Sequence, residues 1–256
     1  MKRKIYIAGI ILLCAAFLFS GFMVYRQYAD DRQSTEAFDN LAQLIPTVPD
    51  DTENSNDENI EEIHVSAFEK YADIYALNND LVGWISIDDT AINYPVMQTK
   101  DRPNYYLKKN FEKQYSDYGV PYVSETCDID ISDNTVIYGH HMKNGTMFSG
   151  LESYKSKDFY ESHTIIHFDT LGGYGVYEVI AVFKTVAYSD TGFKNYQFDN
   201  AADEIVFNEY VTKCKELSLY DTGVTAEYGD KLITLSTCEY SNTNGRLVVV
   251  AKKVAD

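Results

Sequence analysis

The chain has 256 residues, 45% of them hydrophobic and 14% aromatic, which is enough for one or two domains with a sizeable core and argues against a disordered protein. Its formal net charge is −17, and beyond position 26 only 18 basic side chains stand against 39 acidic ones, so a polyanion such as nucleic acid is a poor partner. The same field mildly favours substrates that carry amines, although surface charge mostly reports solubility.

The N-terminus departs from the rest. Lys2, Arg3 and Lys4 precede Ile5 to Tyr25, 21 residues without a charge, long enough to cross a hydrocarbon layer of about 30 Å. Three basic residues on the short side predict a cytoplasmic N-terminus and an exported C-terminal part. A cleaved signal peptide is the rival reading, but its apolar region usually covers only about 7–15 residues. Residues 1–4 are therefore read as a cytoplasmic end, 5–25 as a transmembrane signal anchor, 26–65 as an extracytoplasmic stalk and 66–256 as the folded domain. Tyr28 to Leu44 is mixed and can continue the helix. Seven acids and no base lie between Asp50 and Glu62, the mark of a solvated linker.

Ser66 and Glu69 have capping-box spacing ahead of Phe68, Tyr71, Ile74, Tyr75 and Leu77, which predicts a helix of three to four turns at the start of the domain. The pattern then turns to strands: GWISI, AINYPV, GVPYV, NTVIYG, TIIHFD, the long YGVYEVIAVFKTVA, KLITLS and RLVVVAKK. Eight β candidates bounded by Gly, Asn, Asp and Pro suggest a barrel or sandwich. MFSGLESYKSKDFYESH reads as short helical turns. Ala201 to Leu217 places Val206, Phe207, Tyr210, Val211, Cys214 and Leu217 on one stripe of a helix between the sixth and seventh strands. No internal repeat and no second domain is visible.

Four cysteines match neither a zinc ribbon nor a CxxC pair. Cys14 lies in the apolar span, which leaves an odd number outside and hence at least one free thiol; Cys127 and Cys214 are left open as a possible pair. Cys238 ends an apolar strand and meets a polar loop. A partly exposed cysteine beside a cation becomes a nucleophile, whereas a buried one is inert. His140 follows Tyr138 and Gly139 at the end of a β-branched strand, a rigid base for presenting a side chain. Arg246 opens the last strand, eight residues beyond Cys238, and an antiparallel pairing of the two strands puts thiol and guanidinium on one rim. A surface ion pair is the plainer role for Arg246 in so acidic a chain. His64, His163 and His167 have no such presentation and are read as linker or sheet residues. Cys, His and Arg together suit acyl transfer: a thiolate attacks a carbonyl, an imidazolium protonates the departing amine, and a guanidinium holds the oxyanion or the peptide. That chemistry needs no metal or cofactor.

TLSTC, the arginine eight residues on at the head of RLVVVAKK, and IYGHHMKNGTMF about a hundred residues earlier resemble the sortases. NNDLVGWISIDDTAINYPVMQ, with a helix before it and a helix between the sixth and seventh strands, resembles class B of that family over residues 66–254. The resemblance implies a mostly β fold, an eight-stranded sortase-type barrel behind a single transmembrane helix, with a cysteine transpeptidase site. It implies Cys238 as nucleophile, His140 as acid and base, and Arg246 as stabilising cation, with His141 a bystander. Tyr138, Ser236, Thr237 and Glu239 are expected to line the peptide groove. The implied partners are surface proteins or pilins with a C-terminal sorting signal, cleaved after Thr, and an amine of a peptidoglycan precursor. A pilin lysine as the amine, or an idle envelope-binding barrel, are the alternatives. A papain-like peptidase fits less well, since its nucleophile opens a helix.

Overall fold

The computed structural model describes residues 2–46, 65–189 and 192–255. Two compact units are distinguished, Met1–Asn40 and Leu41–Asp256. Helix α1 runs from Lys2 to Ala42 without a break, so the helix expected through the apolar span continues beyond Tyr28. Its apolar stretch is long and apolar enough to cross a membrane, and side chains such as Phe17 and Leu13 are exposed rather than packed in the protein. The acidic part of the expected stalk, 47–64, lies outside the described residues.

Helix α2 (Ala67–Leu77) begins at the capping box expected there. Ser66 Oγ accepts from Glu69 N at 3.2 Å, and Glu69 Oε2 accepts from Ser66 N at 3.0 Å, so two amides at the helix start are satisfied reciprocally. The buried face is narrower than the apolar pattern suggests. Tyr71 and Ile74 are buried, while Phe68 and Leu77 stay exposed, because an 11-residue helix docks only about one side chain per turn on the barrel.

The eight strands are β1 (Leu81–Ser86), β2 (Asn93–Met97), β3 (Tyr122–Val123), β4 (Asn134–Tyr138), β5 (Ile165–Thr170), β6 (Val176–Val186), β7 (Leu232–Cys238) and β8 (Gly245–Ala255). They close in the order β1-β2-β3-β4-β7-β8-β6-β5. The pairs β2/β3 and β4/β7 are parallel and the others antiparallel. β3 is shorter than the run GVPYV because Pro121 has no N–H to give the ladder; its carbonyl still accepts from Met97 N at 3.0 Å. The segment after β4 forms a 3-10 turn, Phe148–Lys155, and then helix α3 (Lys157–Ser162).

Helix α4 (Glu204–Leu217) lies between β6 and β7 and starts three residues later than the stripe suggests. Asp203 is its cap, accepting from Val206 N at 3.0 Å, while Ala201 N donates to Asp133 instead. Val206 therefore falls in the exposed first turn. Phe207, Tyr210, Val211 and Cys214 pack on Ile180, Phe183, Leu232, Val248 and Val250. This covering explains why β7 and β8 lack an apolar/polar alternation: both faces of these strands are buried. Cys127 and Cys214 are separate, buried free thiols, and burial pushes both above the ordinary thiol range, to about 11 and about 12. Phe207→Ala should remove about 3–5 kcal/mol of stability by opening a cavity under α4, as read by urea denaturation.

Candidate active site

The site is set by three strands running side by side. In the β7/β8 ladder Cys238 is the direct partner of Arg246, so their side chains start about 4.5–5.5 Å apart at Cβ. On the other side of β7 runs β4, in parallel, with Tyr138 opposite Ser236. The pairing continues past the strand end, where Gly139 N donates to Ser236 O at 3.2 Å and Thr237 Oγ1 donates to Gly139 O at 2.8 Å. His140 is thereby delivered beside Cys238. Gly139 is needed here because a Cβ would come within 2.5 Å of the Phe148 ring.

Cys238, His140 and Arg246 line one groove of about 580 Å³, together with Tyr138, Ser236 and Thr237. Leu107, Tyr188, Asn195 and Tyr196 line the same groove. His140 Nε2 lies 2.7 Å from Leu107 O. A carbonyl only accepts, so Nε2 carries the hydrogen and, in the neutral ring, Nδ1 keeps its lone pair. Burial lowers the pKa of His140, and the Leu107 bond offsets this only in part. Arg246 Nη1 donates to Gly245 O at 2.9 Å, and among the described residues no carboxylate pairs with it, so the plain surface ion pair is not formed.

Glu239 does not line the groove with the others. Its buried carboxylate accepts from Lys155 at 2.8 Å, Lys184 at 3.1 Å and Ser241 N at 3.0 Å. Burial pushes its pKa up, but these donors outweigh that and hold it at about 2. His141 has more to do than a bystander: its Nδ1 donates to Cys238 O at 3.0 Å, 3.7 Å from Glu152 Oε1, and Tyr240 OH donates to His141 O at 3.0 Å. Lys155 bridges Glu152 and Glu239. Glu152, Lys155, Glu239 and Lys184 thus alternate in charge next to the strand end, and His141 ties the Cys238 carbonyl to them. His167 lies in β5, as expected, whereas His163 is not in the sheet but caps the end of α3; neither lines the groove, and His64 is outside the described residues. No cluster of His, Cys, Asp and Glu among the described residues is arranged to hold a metal ion.

A sortase domain model matches residues 85–254. Sortase B of Staphylococcus aureus is 33% identical over 98% of this chain and 97% of its own length. The chain belongs to the sortases, in class B. Two solved structures share its fold. The S. aureus sortase B–substrate complex has a TM-score of 0.75 at 29% identity, covering 88% of this chain and 98% of that one. A sortase B complexed with triglycine has a TM-score of 0.74 at 30% identity, covering 88% and 98%. As a class B sortase the chain is a cysteine transpeptidase, and its closed barrel is the family's. Sequence reasoning missed Leu107, Tyr188, Asn195 and Tyr196 in this sortase, because they sit in 3-10 turns and loops with no periodic signal.

The depressed pKa of His140 has a consequence for stability. Below about 6.5 an unfolded chain protonates this ring while the folded chain resists, so the unfolded state binds more protons and stability falls with acidity in that window. His140→Gln should flatten this part of the stability curve, leaving the slopes from carboxylates at lower pH in place, as read by chemical denaturation between pH 7 and 5.

Proposed function

We propose that this sortase is held in the membrane through residues 5–25 with its N-terminus inside, and that its exported barrel cleaves a C-terminal sorting signal after Thr and passes the acyl group to an amine of a peptidoglycan precursor. The observation that carries this reading is the direct register of Cys238 with Arg246, beside His140, in one groove. In the first step Cys238 Sγ, as thiolate, attacks the threonine carbonyl carbon. The C–N bond breaks, and the leaving amine takes a proton from the imidazolium of His140. Arg246, free of a carboxylate among the described residues, supplies positive charge where the oxyanion develops or where the peptide carbonyls lie. In the second step an incoming amine attacks the thioacyl carbon, gives its extra proton to His140, and Sγ departs as thiolate. The sortase B structures with substrate and with triglycine support a groove that receives a peptide and an amine nucleophile.

Tyr138, Ser236 and Thr237 serve as groove wall in this reading. Thr237 Oγ1 already gives its hydrogen to Gly139 O, so toward the peptide it can only accept. Glu239 acts from behind, by holding the β7–β8 loop to Lys155 and Lys184, and is not a peptide contact.

Cys238→Ala should abolish cleavage of a sorting peptide and leave the fold intact, whereas Cys127→Ala and Cys214→Ala keep most activity; wild-type turnover by the Cys238 variant would sink the mechanism. Arg246→Lys keeps the charge and loses the planar fork, so turnover should fall at least tenfold, about 1.4 kcal/mol.

The rate should follow a bell in pH, since the active form pairs thiolate with imidazolium and both limbs belong to the coupled pair. His140→Ala should lose most of the turnover, and His141→Ala should keep the bell. A competition between a stem-peptide mimic and a pilin lysine peptide identifies the amine.

A further inference from the structure

The loop that carries His140 out of β4 is stitched to the start of the 3-10 turn that follows it. Phe148 N donates to His140 O at 2.9 Å, His141 and Met147 form an isolated antiparallel bridge, and Gly139 sits so close to the Phe148 ring that no Cβ fits between them. His140 therefore takes its place from residues 147 and 148 as much as from the strand before it. Met147 holds this position in an unusual conformation, with φ 57° and ψ −135°, a region left almost wholly to glycine. It is a buried methionine. Strain of this kind persists only where the surroundings over-determine it. Here the extra hold comes from β2, because Met147 N donates to the hydroxyl of buried Tyr94 at 3.0 Å. A buried amide without an acceptor is costly, so without that hydroxyl both the strain and the unpaired N–H drive Met147 to turn. Phe148 N is the next group along the chain, and it leaves His140 O when Met147 turns.

We infer that Tyr94 is a positioning residue for the transpeptidation: its hydroxyl holds Met147 in the strained turn from which Phe148 N grips the His140 carbonyl, and so keeps the imidazole beside Cys238. This rests on the reading of His140 as acid and base. Tyr94 itself does not line the groove and touches none of the reacting groups. The ring of His140 thus has two anchors. Leu107 O fixes its outer nitrogen, Nε2, and Tyr94, acting through residues 147 and 148, fixes the backbone from which the ring hangs. A displacement of such a group by about 1 Å costs up to about a hundredfold in rate. With the Leu107 anchor left in place, loss of the other costs less than that.

The test uses the full chain in detergent micelles and two variants that each delete one buried hydroxyl. Tyr94→Phe removes the acceptor of Met147. Tyr154→Phe is the control, since Tyr154 OH donates to His163 O at 2.8 Å toward the other end of the same 3-10 turn. The substrate is the best-cleaved member of a pool of quenched fluorescent peptides with threonine fixed at the cleavage position. Each variant is compared with wild type for kcat and KM, for the urea midpoint, and for the NMR titration of the His140 ring, assigned among the five histidines by means of His140→Gln. Tyr94→Phe should lower kcat about tenfold with KM unchanged. It should also move the His140 titration up from its depressed position toward the ordinary histidine range, as the ring leaves its buried place. Tyr154→Phe should lower the urea midpoint and leave kcat and the titration where they are. Wild-type kcat in Tyr94→Phe overturns the inference, and so does an unmoved His140 titration. An equal loss of kcat in both variants also overturns it, by making the hydroxyl a support of the fold alone. If the wild-type chain cleaves no peptide of the pool, or His140→Gln turns over at the wild-type rate, it is the reading of the site that fails, and the titration alone then decides whether Tyr94 places the ring.

Discussion

Everything at the active site depends on the hydrogen-bond ladder of β7. This strand pairs on one side with β8, antiparallel, and on the other with β4, parallel. Those two pairings fix the thiol against the guanidinium and the imidazole beside the thiol. Because side chains alternate with a period of two, a slip of one residue in either ladder would turn Cys238 away from its partners. The register is held by burial. Leu232, Ile233, Thr234 and Leu235 are all inaccessible, and the polar member is satisfied because Thr234 Oγ1 donates to Asn134 Oδ1 at 2.8 Å. A slip of one residue would part Thr234 from Asn134 and leave a buried hydroxyl and amide without partners.

That scaffold accounts for the position of the strand ends, and charge accounts for what lies just beyond them. The β7–β8 connection is polar and exposed over Tyr240 to Asn244, so it lacks apolar burial to hold it. Glu239 compensates by gathering Lys155 from the 3-10 turn and Lys184 from β6 under one buried carboxylate. His141, braced by Glu152, takes hold of the Cys238 carbonyl from the opposite side. Isolated surface ion pairs are worth little, but a network around a buried acid is a different case: removing one member leaves a charge without its partner in a poorly solvated place.

Much of this architecture is legible in the amino-acid sequence. All eight strands follow from β-branched runs bounded by turn residues, α2 from its capping box, and the Cys238–Arg246 pairing from the two apolar runs that flank one short loop. What the sequence hides is long-range. Nothing local says that β4 joins β7 in parallel across nearly a hundred residues, and it is that crossover which brings His140 to the thiol. Glu239 shows a different failure. Adjacency to Cys238 suggests a groove residue, but period-two alternation sends its side chain to the other side of the strand, toward two lysines far away in sequence. Asn195 and Leu107 are invisible for a third reason, since 3-10 turns carry no periodic pattern to read.

The charge on Arg246 is the most telling feature of the groove. In a chain with 39 acidic side chains, a lysine or arginine readily finds a carboxylate, and Lys70, Lys155, Lys184 and Lys231 each do so. Arg246 is half-buried and lies within the electrostatic reach of the Tyr122 hydroxyl, yet among the described residues it is left with a single backbone acceptor. A carboxylate beside it would neutralise its field and fill the fork that a peptide carbonyl or oxyanion needs. The arrangement withholds a stabilising ion pair where one is easy to form. It keeps instead a guanidinium that has no carboxylate partner among the described residues, in a sheltered groove where, in the mechanism proposed above, its effect on a developing negative charge exceeds what it would have in open water.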